Sequence, residues 1–372
     1  MTRVVHVSSA HPWNDNRIHF REATSLAHAG YDVTLVAVAT ADAPPPGDVR
    51  VRTLPRLRRT WRVLFSAPRA VAMALSTRAL IVHLHDPELI WAIPLLRALG
   101  RTVVYDAHED LPVQVLDKPY TNAVTRPILV GAARALCWLA GTSTAVIAAT
   151  EQVASRFPSA KTTVVRNFPP LLENEATAPA VESRDPLMVY IGAIGRARGA
   201  DVMVEAMAHP DMPQGWMLRL AGSMPAQLHE RLAANPGWEK VEYLGVLPPQ
   251  EARELLLSAR IGFAVLQATP AYVDALPTKM FEYFAAGVPV IASDFPLWRD
   301  IIDRHECGQV VDQRDPAAIA RAVRRYADDP ALLAQHGANA RRAAVESLNW
   351  ASEAKQLIQA YSALPDRGAR RS

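Results

Sequence analysis

Short apolar runs rich in Val, Ile and Leu alternate along this chain with stretches whose apolar residues recur every third or fourth position. Strands therefore alternate with helices, the order that builds parallel sheets. In the first half the strand-like runs are Val4 to Ser8, Val33 to Val38, Leu80 to His83, Thr102 to Tyr105, Ala145 to Ala148 and Thr163 to Val165. After Asn167 the chain reads Phe168-Pro169-Pro170 and then runs polar and alanine-rich, without periodicity, to Pro186. This predicts a linker over 171–186. A second series follows at Leu187 to Ile191, Leu218 to Ala221, Val241 to Leu244, Ile261 to Leu266 and Val288 to Ala292. The expected fold class is α/β, with two doubly wound parallel-sheet (Rossmann-like) domains over 1–170 and 187–349 that face each other across a cleft. Open sheets of this kind take ligands at the carboxyl ends of their strands.

Composition fits that picture and removes other classes. A chain of 372 residues exceeds what one core usually serves, and 50% apolar with 21% charged residues describes a globular protein. The two cysteines, Cys137 and Cys307, lie far apart without metal-ligand spacing, so a reduced, cytoplasmic setting is expected. Strand-like residues begin at Arg3, which leaves no room for a signal peptide. The apolar stretch from Ile128 to Thr150 carries Arg134, glycines and hydroxyl residues, and reads as a buried helix followed by a strand rather than a membrane span. The net charge of +3 hides a local excess: Arg50, Arg52, Arg56, Arg58, Arg59 and Arg62 cluster beside Trp61, Val63, Leu64 and Phe65. The cluster fits a peripheral membrane contact or an anionic acceptor, and equally a solvated edge. Nucleic acid is not an expected partner, because no aromatic-interleaved basic face or nucleic-acid motif accompanies the charge.

The most informative chemistry lies in Pro277 to Ser293. An acid, Glu282, sits in an otherwise apolar helix that ends at Gly287 before a strand. A carboxylate there needs a partner, whether backbone amides or a ligand hydroxyl. Gly192 follows a strand directly, and Gly195 and Gly199 frame a turn with Arg196 and Arg198 ahead of the helix Ala200 to Ala208. Such a turn lets amides and a helix N-terminus approach phosphate, although spaced glycines also serve plain strand-to-helix turns. Lys279 adds a further cation, with a surface lysine as its plain alternative. The chain contains no D-x-D triplet, and no compact His/Cys/carboxylate cluster is visible to hold a metal.

In the first domain the loop Ser8 to Arg17 leaves the first strand, so Asp15 and Arg17 project from the ligand edge unless Asp15 caps the helix. Trp13 is either a stacking platform or loop packing. His83-Leu84-His85-Asp86-Pro87-Glu88 and Tyr105-Asp106-Ala107-His108-Glu109-Asp110 close two further strands, with His83 and His85 on one face.

The segment around Glu282 resembles the donor-binding signature of retaining glycosyltransferases of family 4, E-x7-E followed by A-x-G-x-P-V-I, with Asp274 in place of the first acid. The resemblance implies the GT-B architecture, a donor domain over 187–349, an acceptor-binding domain over 1–170, and a last helix near 350–365 that returns to the first domain. It implies a retaining transfer of a hexose-type sugar from a nucleoside diphosphate donor, UDP- or GDP-linked, to an acceptor hydroxyl. No cofactor and no metal are implied, because fixed cations stabilise the departing diphosphate. The implied roles are ribose binding for Glu282, sugar binding for Asp274, and diphosphate contact for Gly192, Arg196, Arg198 and Lys279. His108 is placed beside the transferring sugar, and Asp15, Arg17, His85 and Asp86 on the acceptor side. In the front-face mechanism the diphosphate itself accepts the acceptor proton. Two other readings use the same fold: a nucleotide-sugar 2-epimerase, and a catalytically weak nucleotide-sugar-binding protein.

Overall fold

A computed structural model describes residues 1–44, 46–58, 61–116, 125–172 and 178–365. The chain forms two units, one of Met1–Asn167 joined by the chain from Trp350, the other of Phe168–Asn349.

The first unit is a seven-stranded sheet in the order β3-β2-β1-β4-β5-β6-β7, parallel throughout. Its strands are β1 (Arg3–Pro12), β2 (Asp32–Val38), β3 (Arg50–Leu54), β4 (Ile81–Leu84), β5 (Thr102–Ala107), β6 (Ala145–Ala148) and β7 (Thr162–Val164). The chain winds outward from β1 in one direction and from β4 in the other, so the crevice for a ligand lies past the carboxyl ends of these two strands. Apolar layers cover both faces, one built on Val5, Val7, Leu84, Tyr105 and Cys137, the other on Val4, Leu35, Ile147 and Leu357. The last helix, Trp350–Ser362, belongs to the second layer: Leu357 and Tyr361 are buried, and the Trp350 indole donates to Ser25 Oγ at 2.9 Å.

The second unit is a six-stranded parallel sheet in the order β10-β9-β8-β11-β12-β13. It comprises β8 (Leu187–Ile191), β9 (Met217–Ala221), β10 (Val241–Gly245), β11 (Ile261–Ala264), β12 (Val290–Ser293) and β13 (Gly308–Val311). Its switch point lies between β8 and β11. Val288 to Ala292 is two residues early as a strand reading, because the turn after Gly287 occupies Val288 and Pro289.

Four sequence readings need correction. β3 and β13 were not anticipated: both are edge strands, and β3 alternates arginines with Val51, so only Leu54 is buried. The helix Thr125–Ala140 is not a buried one; it inserts Ala133, Cys137 and Ala140 and leaves Ile128, Leu136 and Trp138 exposed. No described helix is long and apolar enough to cross a membrane. The described end of the expected linker is packed chain: Val181 enters the second unit's core, and the buried Arg184 guanidinium donates to the carbonyls of Pro179, Ala259 and Ala286. The loop residue Arg59 lies outside the described residues.

Candidate active site

In the second unit the turn after β8 is forced by backbone geometry. Gly199 has φ +81°, and a Cβ there would lie 2.1 Å from the Val265 carbonyl oxygen, so only glycine lets the turn close on β11. Gly192 has φ +130°, and a Cβ there would meet Lys279 Nζ at 3.3 Å. The glycine thus leaves open the space into which a lysine points. Lys279 stands in the first turn of the helix Thr278–Ala285 and is buried, with Nζ 3.3 Å from the centre of the Tyr190 ring. That ammonium has no hydrogen-bond partner among the described residues. Burial and the Arg198 charge drive its pKa well below the usual lysine value, against the opposing pull of Glu282. Arg198 is half-buried, 5.9 Å from the Tyr272 ring, and interacts with the Tyr190 and Tyr272 hydroxyls.

Glu282 is half-buried, one turn further along the same helix, and its charge acts on Lys279 and on Arg253 from the helix Pro249–Ser258. Nothing in the sequence singles out Arg253, Tyr190 or Tyr272. Two other expected donor residues stand apart: Arg196 is 76% exposed and pairs with Asp201 at 3.4 Å, and Asp274 is exposed at the end of the short helix Pro270–Val273.

In the first unit, the polar residues past β1, β4 and β5 converge at the switch point. Asp86 is buried and both its oxygens are engaged: Oδ2 accepts from the amides of Ser9 and Ala10 and from the hydroxyls of Ser8 and Ser9, while Oδ1 lies 2.9 Å from His11 Nδ1. This bond to Asp86 raises the His11 pKa against the effect of burial. Glu88 accepts from Ser9 Oγ and pairs with Arg62 at 2.6 Å. Asp86 therefore holds the carboxyl-terminal residues of β1.

Deeper, Asp106 joins Arg17, His85 and His108. The Arg17 guanidinium reaches Asp106 Oδ1 at 2.8 Å and Glu22 Oε1 at 2.9 Å, and donates to the Val165 carbonyl. His85 Nδ1 lies 3.0 Å from Asp106 Oδ2, and half-buried His108 places Nε2 3.1 Å from the same oxygen without hydrogen-bond alignment. Although burial acts the other way, Arg17 and His108 hold the Asp106 carboxyl well below the usual range. Burial and Asp106 push the neighbouring Glu22 well above it. Burial lowers His108 to about 4, so its ring is neutral at physiological pH.

Four sequence readings are decided here. Arg17, expected with the acceptor contacts, is buried in internal ion pairs because its helix faces the sheet. Asp15 takes its capping alternative, accepting from the Arg17 and Ile18 amides at 2.9 Å, and Trp13 takes its packing alternative, donating to Thr40 Oγ1 at 2.7 Å. The expectation of no compact His/carboxylate cluster also fails: His6, Glu22, His83 and His85 gather in one place, and His85, Asp106 and His108 in another.

Two family models match the chain between them, one described as Glycosyltransferase Family 4 over residues 18–168, the other as Glycosyl transferases group 1 over residues 173–343. A D-inositol 3-phosphate glycosyltransferase from Xylanimonas cellulosilytica is 28% identical over 208 residues, 52% of this chain and 48% of that protein. The chain spans about half or less of the length of the first curated relatives it matches. Among solved structures, the sucrose-phosphate synthase of Thermosynechococcus elongatus superposes with a TM-score of 0.72 at 20% identity, covering 97% of this chain and 98% of that one. The Anabaena protein HepE in complex with UDP-glucose superposes at 0.72 and 13% identity, covering 98% and 100%. The fold is the GT-B arrangement of two Rossmann-like domains. Within it, the chain belongs with the family 4 glycosyltransferases, its first half matching the model of that name and its second half the group 1 glycosyl transferases.

Proposed function

We propose that this chain transfers a hexose-type sugar, with retention, from a UDP- or GDP-linked donor to an acceptor hydroxyl. The observation that carries the proposal is the buried Lys279 ammonium, without a hydrogen-bond partner among the described residues, beside Arg198 at the Gly192 turn. An unpaired buried cation is costly, and a diphosphate oxygen is the partner that turns this cost into binding. The named activities of the relatives and the UDP-glucose bound to HepE support the reading.

In the proposed step the bond from the anomeric carbon to the diphosphate oxygen breaks, the acceptor oxygen bonds to that carbon on the same face, and the acceptor proton passes to the departing diphosphate. Lys279 and Arg198 stabilise the charge that develops there, with no metal at the diphosphate. Glu282 accepts hydrogen bonds from the donor ribose and Asp274 from the sugar. Neutral His108 orients hydroxyls, while His85 and Asp86 shape the acceptor edge. Incubation with a panel of nucleotide sugars tests this directly. Transfer or hydrolysis that survives brief EDTA treatment is expected. Epimer formation, binding without turnover, or a strict Mg2+ or Mn2+ requirement at saturating donor would overturn it.

The acceptor side includes a membrane surface in this proposal. Exposed Trp61, Leu64 and Phe65 stand beside Arg56, Arg58 and Arg62, with the Trp61 and Phe65 rings stacked 5.3 Å apart. Co-sedimentation with anionic but not with neutral vesicles is the expected result.

A further inference from the structure

Beneath the strand ends of the first unit, His6 in β1, His83 in β4, His85 just past β4 and Glu22 in the π-helical segment Asn16–Ala23 are each no more than 1% exposed. One ligand-capable nitrogen or oxygen from each lies within 4.8 Å of all the others. The three imidazole rings are in mutual contact, with centroids 4.5, 4.7 and 5.1 Å apart.

The hydrogen bonds around these groups leave electron pairs over. His85 Nδ1 faces the Asp106 carboxylate, an acceptor, and so carries the ring proton; its Nε2 then accepts from His6 Nδ1 at 2.9 Å. His6 Nε2 is consequently a bare lone pair, and it has no partner among the described residues. His83 Nε2 also lacks a hydrogen-bond partner and stands 4.0 Å from Glu22 Oε2, while the Glu22 carboxyl lies against that of Asp106. A buried acceptor left unsatisfied costs about 1–3 kcal/mol, and these sit together rather than scattered. Arg17 is one cation shared between two carboxyl groups, Glu22 and Asp106.

We propose that His6 Nε2, Glu22 and His83 Nε2 bind a zinc-class divalent transition ion, a site separate from the diphosphate, with His85 behind them as the acceptor for His6 Nδ1. Imidazole with one carboxylate is a donor set for Zn2+, Co2+ or Ni2+ and not for Mg2+ or Ca2+. Bonds of about 2.0–2.1 Å put tetrahedral ligands roughly 3.4 Å apart, so the cluster contracts by about an ångström on binding. Outer partners for the ligands are already in place. His85 Nε2, oriented by Asp106, holds His6 Nδ1, the Tyr361 hydroxyl lies 2.8 Å from His83 Nδ1, and Arg17 holds Glu22. The ion would tie the π-helical segment to β1 and β4, and through Tyr361 to the last helix.

The test uses the full chain, stripped with chelator and titrated with Co2+ and separately with Zn2+, with metal content measured after gel filtration. The expected result is about one ion per chain, a higher melting temperature with Zn2+, and a visible Co2+ spectrum without thiolate bands. Glu22→Gln and His83→Gln should each weaken uptake about 10- to 100-fold, while Cys137→Ser leaves it unchanged. No stoichiometric uptake by the wild-type chain at micromolar free metal would overturn the site, showing that water satisfies these groups. Uptake retained by both variants would overturn it as well. If the variants do not fold, the wild-type spectrum still decides, because thiolate-to-cobalt bands would move the ion to a cysteine.

Discussion

The two units share an architecture and treat buried charge in opposite ways. In the first, Arg17 is met by Asp106 and Glu22, and Asp86 by two amides, two hydroxyls and His11. In the second, Lys279 is buried against an aromatic face with no hydrogen-bond partner among the described residues, and a second cation, Arg198, stands close enough to depress its pKa. Paired charges hold a framework; in the proposed reading, an unpaired cation at a glycine turn is stability given up for a ligand. Each unit accordingly predicts a different consequence when its central charge is removed.

The largest effect is expected at Asp106. Asp106→Asn keeps the shape but leaves the Arg17 guanidinium short of one buried carboxylate. Removing one member of a buried pair costs about 3–5 kcal/mol. Urea unfolding of the variant should show a loss of that size, and a loss below about 1 kcal/mol would remove the framework assignment.

The opposite behaviour is expected at Lys279. Lys279→Met keeps an unbranched side chain, one atom shorter, while removing the charge over Tyr190. Stability should be unchanged or higher, because an unpaired buried charge disappears. Affinity for a nucleoside diphosphate should fall on the order of ten- to a hundredfold, the equivalent of a charge-assisted hydrogen bond of about 1.5–3 kcal/mol. Calorimetric titration of both proteins measures the affinity. A destabilised variant with intact affinity would reverse the contrast between the units.

Legibility in the sequence follows the same division. Glu282, Gly199 and Arg198 lie in continuous segments where a helix, a stop and a turn announce themselves, so the second unit's residues could be named from the chain alone. The first unit's cluster is built across sequence: His6 and His85 are 79 positions apart, Arg17 and Asp106 are 89 apart. No local spacing encodes such a meeting; only the strand order β2-β1-β4-β5 creates it. Asp106 was inside a motif read for its histidine, and the period-two reading of His83 and His85 did place them on one face. Lys279 reads as a cation candidate with a surface lysine as its alternative, and the alternative fails because its tip lies buried over Tyr190. The edge strand β3 escaped because its exposed arginines break the apolar run that marks an interior strand, and β13 because only Val310 and Val311 of its four residues are apolar side chains.

Glu282→Gln sharpens the second unit's side of the contrast. Glu282 shares the helix of Lys279, but in the proposed reading it meets the ribose rather than the diphosphate. The variant should bind both UDP and GDP on the order of ten- to a hundredfold more weakly, and inorganic diphosphate no more weakly than the wild type. An equal loss for inorganic diphosphate would show that the acid works by setting the charge of Lys279 and Arg253, whose pKa values it raises against the effect of burial.

The smallest effect is expected at Arg196, two residues from Arg198 on the same turn. Its guanidinium is mostly in water, and its pairing with Asp201 at 3.4 Å is duplicated by Arg231, which reaches the same carboxylate at 2.7 Å. An exposed ion pair contributes about 0–1 kcal/mol, and Asp201 keeps a partner when Arg196 is lost. Arg196→Ala should therefore leave unfolding free energy within about 0.5 kcal/mol of the wild type. Nucleoside diphosphate affinity should stay within about threefold, a difference under 1 kcal/mol. The comparison with Arg198→Ala is the informative one, because both variants remove one positive charge from one turn and differ chiefly in burial. If calorimetry finds equal losses of affinity, the turn acts through its summed field and burial is irrelevant. A loss confined to Arg198→Ala ties diphosphate binding to the cation that the protein holds between Tyr190 and Tyr272.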